Sequence, residues 1–107
     1  MVEELKPPEI LGHTLFEGKM LTILKGQYSN GRLAIMLETE GNRPFAVLSV
    51  NLVDRRCPKN HFFVKTWAEN ETIAKYMIMT GLFEDTGLTI PTGHVRASLW
   101  RLKPEYR

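Results

Sequence analysis

The strongest pattern in the chain is a pair of apolar runs, residues 32–39 and 45–52, separated by a polar turn at 40–44. Successive side chains of a β-strand point to opposite faces, and both runs alternate with that period. Each run also carries apolar residues on both of its faces, which is typical of strands in the middle of a sheet. We therefore predict that the two runs form a central β-hairpin.

Two further strands are predicted before this hairpin, at residues 10–16 and 20–24. Gly18 separates them, and glycine accepts the positive φ that a tight reversal requires. The pair Asn30-Gly31 is a favoured turn sequence and marks the next reversal. The first half of the chain is therefore predicted to be four strands.

One amphipathic helix is predicted in the second half of the chain. Apolar residues recur between positions 73 and 78 with the spacing of one helical face. The start of the helix stays open between Thr66, which forms a capping box with Glu69, and Asn70 as the N-cap. Gly81 is the predicted C-terminal stop.

Strand signals also flank this helix. Residues 62–64 are apolar and suit a short edge strand, and residues 95–102 alternate as a last strand. The intervening residues 84–93 contain Gly87 and Pro91, so we predict a turn-rich loop there.

This order of elements predicts an α+β fold. We expect a curved antiparallel sheet of about five strands with one helix packed on one face. The 107 residues suffice for one domain. We expect a flexible N-terminal tail at residues 1–9, which is polar and contains two prolines, and a single domain over residues 10–107.

Composition and charge narrow the functional classes. With 43% apolar and 24% charged residues, the chain is that of a globular protein rather than a disordered one. The formal net charge of +2 is smaller than the concentrated positive charge expected of a dedicated nucleic-acid-binding protein. The single cysteine excludes an intramolecular disulfide. Because no signal peptide or apolar run of about 20 residues is present, we expect a cytoplasmic protein without membrane contact.

Residues that could carry catalysis or bind metal are scattered along the chain. His13, His61 and His94 lie in different segments without the spacing of a zinc site. The glycines are spread singly through turns and form no phosphate-binding loop. We therefore expect no catalytic residue, no cofactor and no metal. Whether the three histidines converge in space stays open at this point.

Cys57 offers an alternative in which the protein is a small enzyme. Its basic neighbours Arg55, Arg56 and Lys59 are expected to lower the pKa of the thiol and raise its reactivity if it is exposed. Cys57 or a histidine would then act as the reactive group.

A second alternative is a nucleic-acid-binding module that uses residues 55–67. This segment mixes basic residues with Phe62, Phe63 and Trp67, and single-strand binders combine such groups to hold phosphates and stack bases. In an extended segment Phe62 and Phe63 point to opposite sides, so we expect at least one of them in the core. Trp100, near the basic C-terminus, is a further candidate contact.

The central residues of the chain also resemble a known family. YSNGRLAIML at 28–37, PFA at 44–46 and LSVNL at 48–52 resemble the central signature of a domain-of-unknown-function family. The family consists of small proteins encoded largely by phages, plasmids and conjugative elements. FVKT, TGL and TGHV in the second half resemble its remaining signature, so that the likeness covers about residues 14–102.

This resemblance implies an accessory protein of a mobile genetic element, with no catalytic residues to carry over. Small proteins of such elements often act by binding, and some block host defence complexes such as CRISPR effectors. By that analogy, our leading hypothesis is a non-enzymatic protein that binds a host protein or complex in the bacterial cytoplasm.

The contact surface expected for such a partner is the partly apolar outer face of the sheet together with the basic loop. The chain is expected to be a monomer, or a weak homodimer formed through the last strand as a free edge. The candidate partner-binding residues are Phe45, Val47, Ser49, Asn51, Arg55, Arg56, Lys59 and Trp100.

Overall fold

The computed structural model of the protein describes residues 8–68 and 70–107. The predicted tail falls outside these residues up to position 7, and Glu9 already belongs to the first strand. Glu69, the partner in the predicted capping box, also lies outside them. The elements are β1 (Glu9–Phe16), β2 (Lys19–Gln27), β3 (Leu33–Thr39), β4 (Arg43–Val47), β5 (Ser49–Val50), β6 (His61–Val64), α1 (Asn70–Met79), β7 (Phe83–Thr92), β8 (Val95–Leu102) and a short 3-10 helix (Pro104–Tyr106).

The fold is the predicted α+β class, built from antiparallel strands and a single α-helix among the described residues. Its strands form two four-stranded sheets instead of the one sheet expected. Sheet A has the order β1-β2-β3-β4, and sheet B has the order β5-β6-β8-β7. In the described part of the chain, no helix combines the length and the apolar character needed to cross a membrane.

The chain passes from sheet A to sheet B at Leu48. The Leu48 N–H donates to the carbonyl of Ile35 in β3 at 2.9 Å, and the Leu48 carbonyl accepts from the N–H of Lys65, after β6, at 3.0 Å. One residue therefore bonds to both sheets. The prediction of one continuous strand over residues 45–52 is wrong for this reason, since β4 ends at Val47 and β5 begins at Ser49.

The prediction of a loop at residues 84–93 is wrong, because most of these residues belong to strand β7. This strand pairs with β8 from Phe83 to Thr92. Gly87, with φ of +83°, lies in a bulge of the strand, and Pro91 is tolerated because β7 is at the edge of its sheet. β8 lies between β6 and β7, so the last strand is not the free edge that the sequence predicted, and a homodimer would have to form elsewhere.

The main core joins both sheets to the helix. Buried side chains of sheet A, such as Ile23 and Ile35, belong to one apolar cluster with Phe62 and Trp100 of sheet B and Met77 of α1. The helix therefore packs as its apolar face predicted. It ends at Met79, followed by the predicted stop at Gly81, where φ is +80°.

A second, smaller core lies on the opposite face of sheet B. Phe63, Ala97 and Leu99 are buried there, and Leu52 and Trp67 pack over them from loops. Because successive strand residues alternate between faces, Phe62 and Phe63 enter different cores. Both phenylalanines are buried.

Candidate functional site

The face of sheet A that points away from the main core is apolar across all four strands. Ile10, Leu24, Met36 and Val47 are successive cross-strand partners and form one row across the sheet. Leu15 and Met20 are paired near the β1–β2 turn on the same side. We call these six residues the outer face.

The outer face carries much of the exposed apolar surface of the protein. Ile10 is 62% exposed, Leu15 61%, Met20 46% and Val47 49%, which makes four of the eight large exposed apolar side chains in the described residues. Leu24, in the middle of the row, is buried. A concentration of exposed apolar side chains on one face is typical of interaction sites in soluble proteins.

A polar row separates the two apolar parts of this face. His13, Thr22 and Glu38 are cross-strand partners between the Leu15–Met20 pair and the longer apolar row. A surface with an apolar body and a few polar groups has the composition of a protein interface.

A bulge in β1 places both Ile10 and His13 on the outer side of sheet A. The register of β1 against β2 shifts between Ile10 and Gly12, and the extra residue, Leu11, packs against the main core. Ile10 and His13 therefore both point outward although they are three residues apart. The strict alternation that the sequence suggested does not reveal this bulge.

An open groove of about 660 Å³ adjoins the outer face beyond β4. Its apolar lining includes Phe16, Phe45 and Ile73, and Val47 belongs to both the groove and the outer face. Phe16 and Phe45 meet edge to face, with ring centroids 5.9 Å apart. Glu17 lies among the polar groups of the lining.

Asn70 fixes one side of this groove. Its side chain is buried, and its Nδ2 donates to the Val47 carbonyl at 3.0 Å. The start of α1 is thus tied to the free edge of β4. The sequence indicates Asn70 only as a candidate helix cap, because nothing in the local pattern shows which strand the helix start will meet.

Ser49 is a buried structural residue, so the prediction that it offers an exposed contact is wrong. Only 4% of it is exposed. Its Oγ accepts from the Ile35 N–H at 2.9 Å and shares a hydrogen bond of 2.8 Å with the Tyr28 hydroxyl. These bonds connect β3 to β5 across the point where the chain changes sheets.

Asn51 and the basic loop lie apart from the outer face. The change of sheet at Leu48 ends the alternation that placed Asn51 beside Phe45 and Val47, and Asn51 Oδ1 accepts from Asn30 Nδ2 at 3.1 Å. The loop residues Arg55, Arg56 and Lys59 are exposed.

Trp100 is a core residue, which overturns its prediction as a contact. It is 3% exposed and packs against Phe62 and Phe83. Its Nε1 has no hydrogen-bond acceptor among the described residues. Because Phe62 and Phe63 are buried as well, the 55–67 segment does not offer them for stacking bases.

Burial raises the pKa of the Cys57 thiol, and this effect exceeds the opposing influence of the nearby Arg32 guanidinium. The prediction of a lowered pKa is therefore wrong. The thiol donates to the His61 carbonyl at 3.4 Å and packs against the second core. The three histidines lie on β1, on β6 and in the β7–β8 turn. Within residues 8–68 and 70–107, no group of three or more His, Cys, Asp or Glu side chains is placed to hold a metal ion.

Comparison with family models, curated proteins and solved structures found no match to this chain. The family resemblance therefore stays a prediction.

Proposed function

We propose that the protein is a non-enzymatic binding module that covers a surface of a partner protein with the outer face of sheet A and the adjoining groove. The observation that carries this proposal is the concentration of exposed apolar side chains on that face. Burial of apolar surface is the main favourable term in most protein association.

The arrangement of groups also favours a protein partner. Aromatic and aliphatic side chains form the body of the surface, while His13, Glu38 and Glu17 supply polar groups in and around it. Small molecules are instead bound in concave pockets that enclose most of their surface. An open face with a shallow groove beside it suits a macromolecule.

The alternative in which the protein is a small enzyme that uses Cys57 is disfavoured by the surroundings of the thiol. A thiol whose pKa is raised is protonated at neutral pH, and the protonated form is a poor nucleophile. A binding role is the simpler account of the surfaces described above.

The resemblance to proteins of mobile elements supports a partner in the cytoplasm of a bacterial host. On that basis the proposed partner is a host protein or complex, and a defence complex such as a CRISPR effector is the proposed example. The module would act by occupying a surface that the complex needs.

Leu15 and Leu88 allow a matched test of this proposal. Each is 61% exposed, but Leu15 lies on the outer face and Leu88 in the β7 bulge of sheet B. Wild type, Leu15→Asp and Leu88→Asp would each capture proteins from host lysate, with quantification by mass spectrometry. We expect Leu15→Asp to reduce recovery of a stoichiometric partner at least about tenfold, because it places a charge in the interface, and Leu88→Asp to retain it.

The proposal fails if no stoichiometric partner is recovered by wild type, or if both variants retain the partner equally. Equal loss in both variants would also contradict it, since the loss would then not depend on the outer face. A photo-crosslinking residue at position 15, compared with one at position 88, provides an independent check in intact cells.

A further inference from the structure

A band of positive charge runs over sheet B and the loop that covers it. It is built from three segments of the chain that lie far apart in the sequence. We call it the basic band, and its members are Arg32, Arg55, Arg56, Lys59, Arg101, Lys103 and Arg107.

Hydrogen bonds join Arg32, the first residue of the band, to the loop between β5 and β6. Arg32 Nη1 donates to the Leu52 carbonyl at 2.6 Å, and its Nη2 donates to the Arg55 carbonyl. The guanidinium thus holds the loop in place, and the side chains of Arg55 and Arg56 remain exposed on it.

Backbone pairing joins the end of this loop to the C-terminal segment of the band. His61 pairs with Arg101 across β6 and β8, and the Leu102 N–H donates to the Asn60 carbonyl at 2.9 Å. Lys59 therefore lies beside the end of β8. Arg107 folds back on the same strand end, where its Nε donates to the Leu102 carbonyl at 2.8 Å.

The surplus charge of the described residues is confined to this region. The seven cations of the band are accompanied by three carboxylates, those of Asp54, Glu84 and Glu105. In the rest of the described residues, six basic side chains are balanced by six acidic ones. A small net charge for the chain thus hides a marked asymmetry.

The band lacks the apolar centre that a protein interface needs. Val53, within the loop between β5 and β6, is the one large exposed apolar side chain of that loop. Of the neighbouring aromatic residues, Phe62, Phe63 and Trp100 are buried, and the half-buried Trp67 and Tyr106 pack against the second and the main core. None of these five rings is a fully exposed platform on which unpaired bases could stack. Cations without stacking groups match a regular array of phosphates.

We infer that the basic band binds the phosphate backbone of double-stranded nucleic acid. This inference does not rest on the proposed function, because the band and the outer face belong to different sheets and would take different partners. Phosphate contacts carry no sequence information, so binding is expected to be independent of sequence and strongly dependent on salt.

Glu84 forms a salt bridge with Arg101 and so reduces the positive charge of the basic band. Arg101 donates to Glu84 Oε2 from Nη2 at 2.7 Å and from Nε at 3.2 Å. This hydrogen bond, with the charges of Lys103 and Arg107, lowers the pKa of Glu84, which is therefore ionised at neutral pH. The carboxylate offsets one cation and occupies the Arg101 guanidinium.

The test uses a short labelled DNA duplex of mixed sequence, with binding followed by fluorescence anisotropy from about 50 to about 200 mM salt. The double variant Arg56→Glu/Lys59→Glu reverses two exposed charges of the band. Arg43→Glu/Lys75→Glu, also exposed, makes the same change in net charge elsewhere. We expect the band variant to bind at least about tenfold more weakly, with a salt dependence less steep by about two phosphate contacts, and the control to bind within about twofold of wild type.

A second variant is expected to gain affinity. Glu84→Gln removes the negative charge that offsets one cation of the band, while its amide oxygen can still accept from Arg101. The duplex should therefore bind more tightly, with a salt dependence steeper by about one contact. Misfolding does not produce such a gain.

Four results would overturn the inference: no binding of the duplex by wild type at low salt, equal loss in the control variant, no gain in Glu84→Gln, or equally tight binding of a single strand or of polyglutamate. Leu15→Asp should bind the duplex as wild type does. Failure of this inference and failure of the proposed function are therefore distinguishable.

Discussion

Ser49 is the residue at which the two sheets are held in register. Its hydroxyl accepts from the buried backbone N–H of Ile35 and shares a partly buried hydrogen bond with the hydroxyl of Tyr28. Leaving a buried donor without a partner costs about 1–3 kcal/mol. A polar residue in an apolar run, which in the sequence suggested a binding contact, is here part of the framework.

We expect Ser49→Ala to lower the free energy of unfolding by about 1–3 kcal/mol, because it leaves the buried Ile35 N–H without its acceptor. The Tyr28 hydroxyl keeps its bond of 3.2 Å to the backbone carbonyl of residue 49. Urea denaturation followed by circular dichroism measures this change. Ser29→Ala, in the exposed β2–β3 turn, is the control and should change stability by less than about 0.5 kcal/mol. Equal effects of the two substitutions would show that the buried network does not stabilise the fold.

Cys57 illustrates how burial can reverse an expectation based on charged neighbours. Arg55, Arg56 and Lys59 are close in sequence, yet their side chains extend into solvent. The sulfur packs against the second core, so desolvation dominates and the thiol form is favoured.

The rate of alkylation of Cys57 by iodoacetamide should therefore rise with pH along a curve whose midpoint lies above that of the same cysteine in the urea-unfolded chain. The sign for stability follows from the same shift: the folded state loses stability as the pH rises above the pKa of the unfolded thiol, because the unfolded chain ionises first. An alkylation midpoint below that of the unfolded chain would contradict the raised pKa and revive the thiol-enzyme alternative.

Among the elements, the exposed strand edges are poorly suited to pairing with another chain. β1 and β7 carry bulges, β4 contains Pro44, and β5 has two residues. Bulges, prolines and short strands are the means by which natural sheets avoid edge-to-edge association. Contact with a partner is therefore expected through a face rather than an edge.

The end of the helix requires a left-handed backbone at Gly81, and this requirement can be tested by substituting Gly81 and, as a control, Gly12. Gly81 has φ of +80°, and a Cβ there would meet only Lys103 Nζ at 4.0 Å, so the cost of a side chain is conformational. We expect Gly81→Ala to lower the free energy of unfolding by about 1–2 kcal/mol. Thermal or urea denaturation measures it.

Gly12→Ala is the matched control for this substitution. Gly12 lies outside the left-handed region, and a Cβ there would make an ordinary contact with Leu82 Cδ1 at 3.8 Å. The free energy of unfolding of the Gly12→Ala variant should equal that of wild type within about 0.5 kcal/mol. If Gly12→Ala destabilises the protein as much as Gly81→Ala, the left-handed backbone at the helix end is not the reason for the loss.

In the molecule as a whole, two sheets and two cores separate two surfaces of different chemistry. Sheet A is covered by the main core on one face and leaves the outer face apolar and open. Sheet B is covered on one face by the main core and on the other by loops over the second core. The loop between β5 and β6 displays three of the seven cations of the basic band. The two proposed binding activities, toward an apolar protein surface and toward phosphates, therefore use different surfaces.

The sequence by itself determined the local structure. Alternation placed β1, β2 and β3, the helical spacing placed α1, and Gly18 and Gly81 lie at a turn and a helix end with positive φ. These features depend on side-chain periodicity and backbone freedom over a few residues, which a sequence displays directly.

Only the tertiary structure decided which residues meet. The change of sheet at Leu48 is made by two backbone bonds to Ile35 and Lys65, and backbone bonds between distant segments leave no mark in the local pattern. The same holds for the burial of Ser49 and Trp100, and for the pairing of His61 with Arg101 that unites the basic band. A strand apolar on both faces shows that one face can remain open, but which face is covered is fixed only by packing against distant elements.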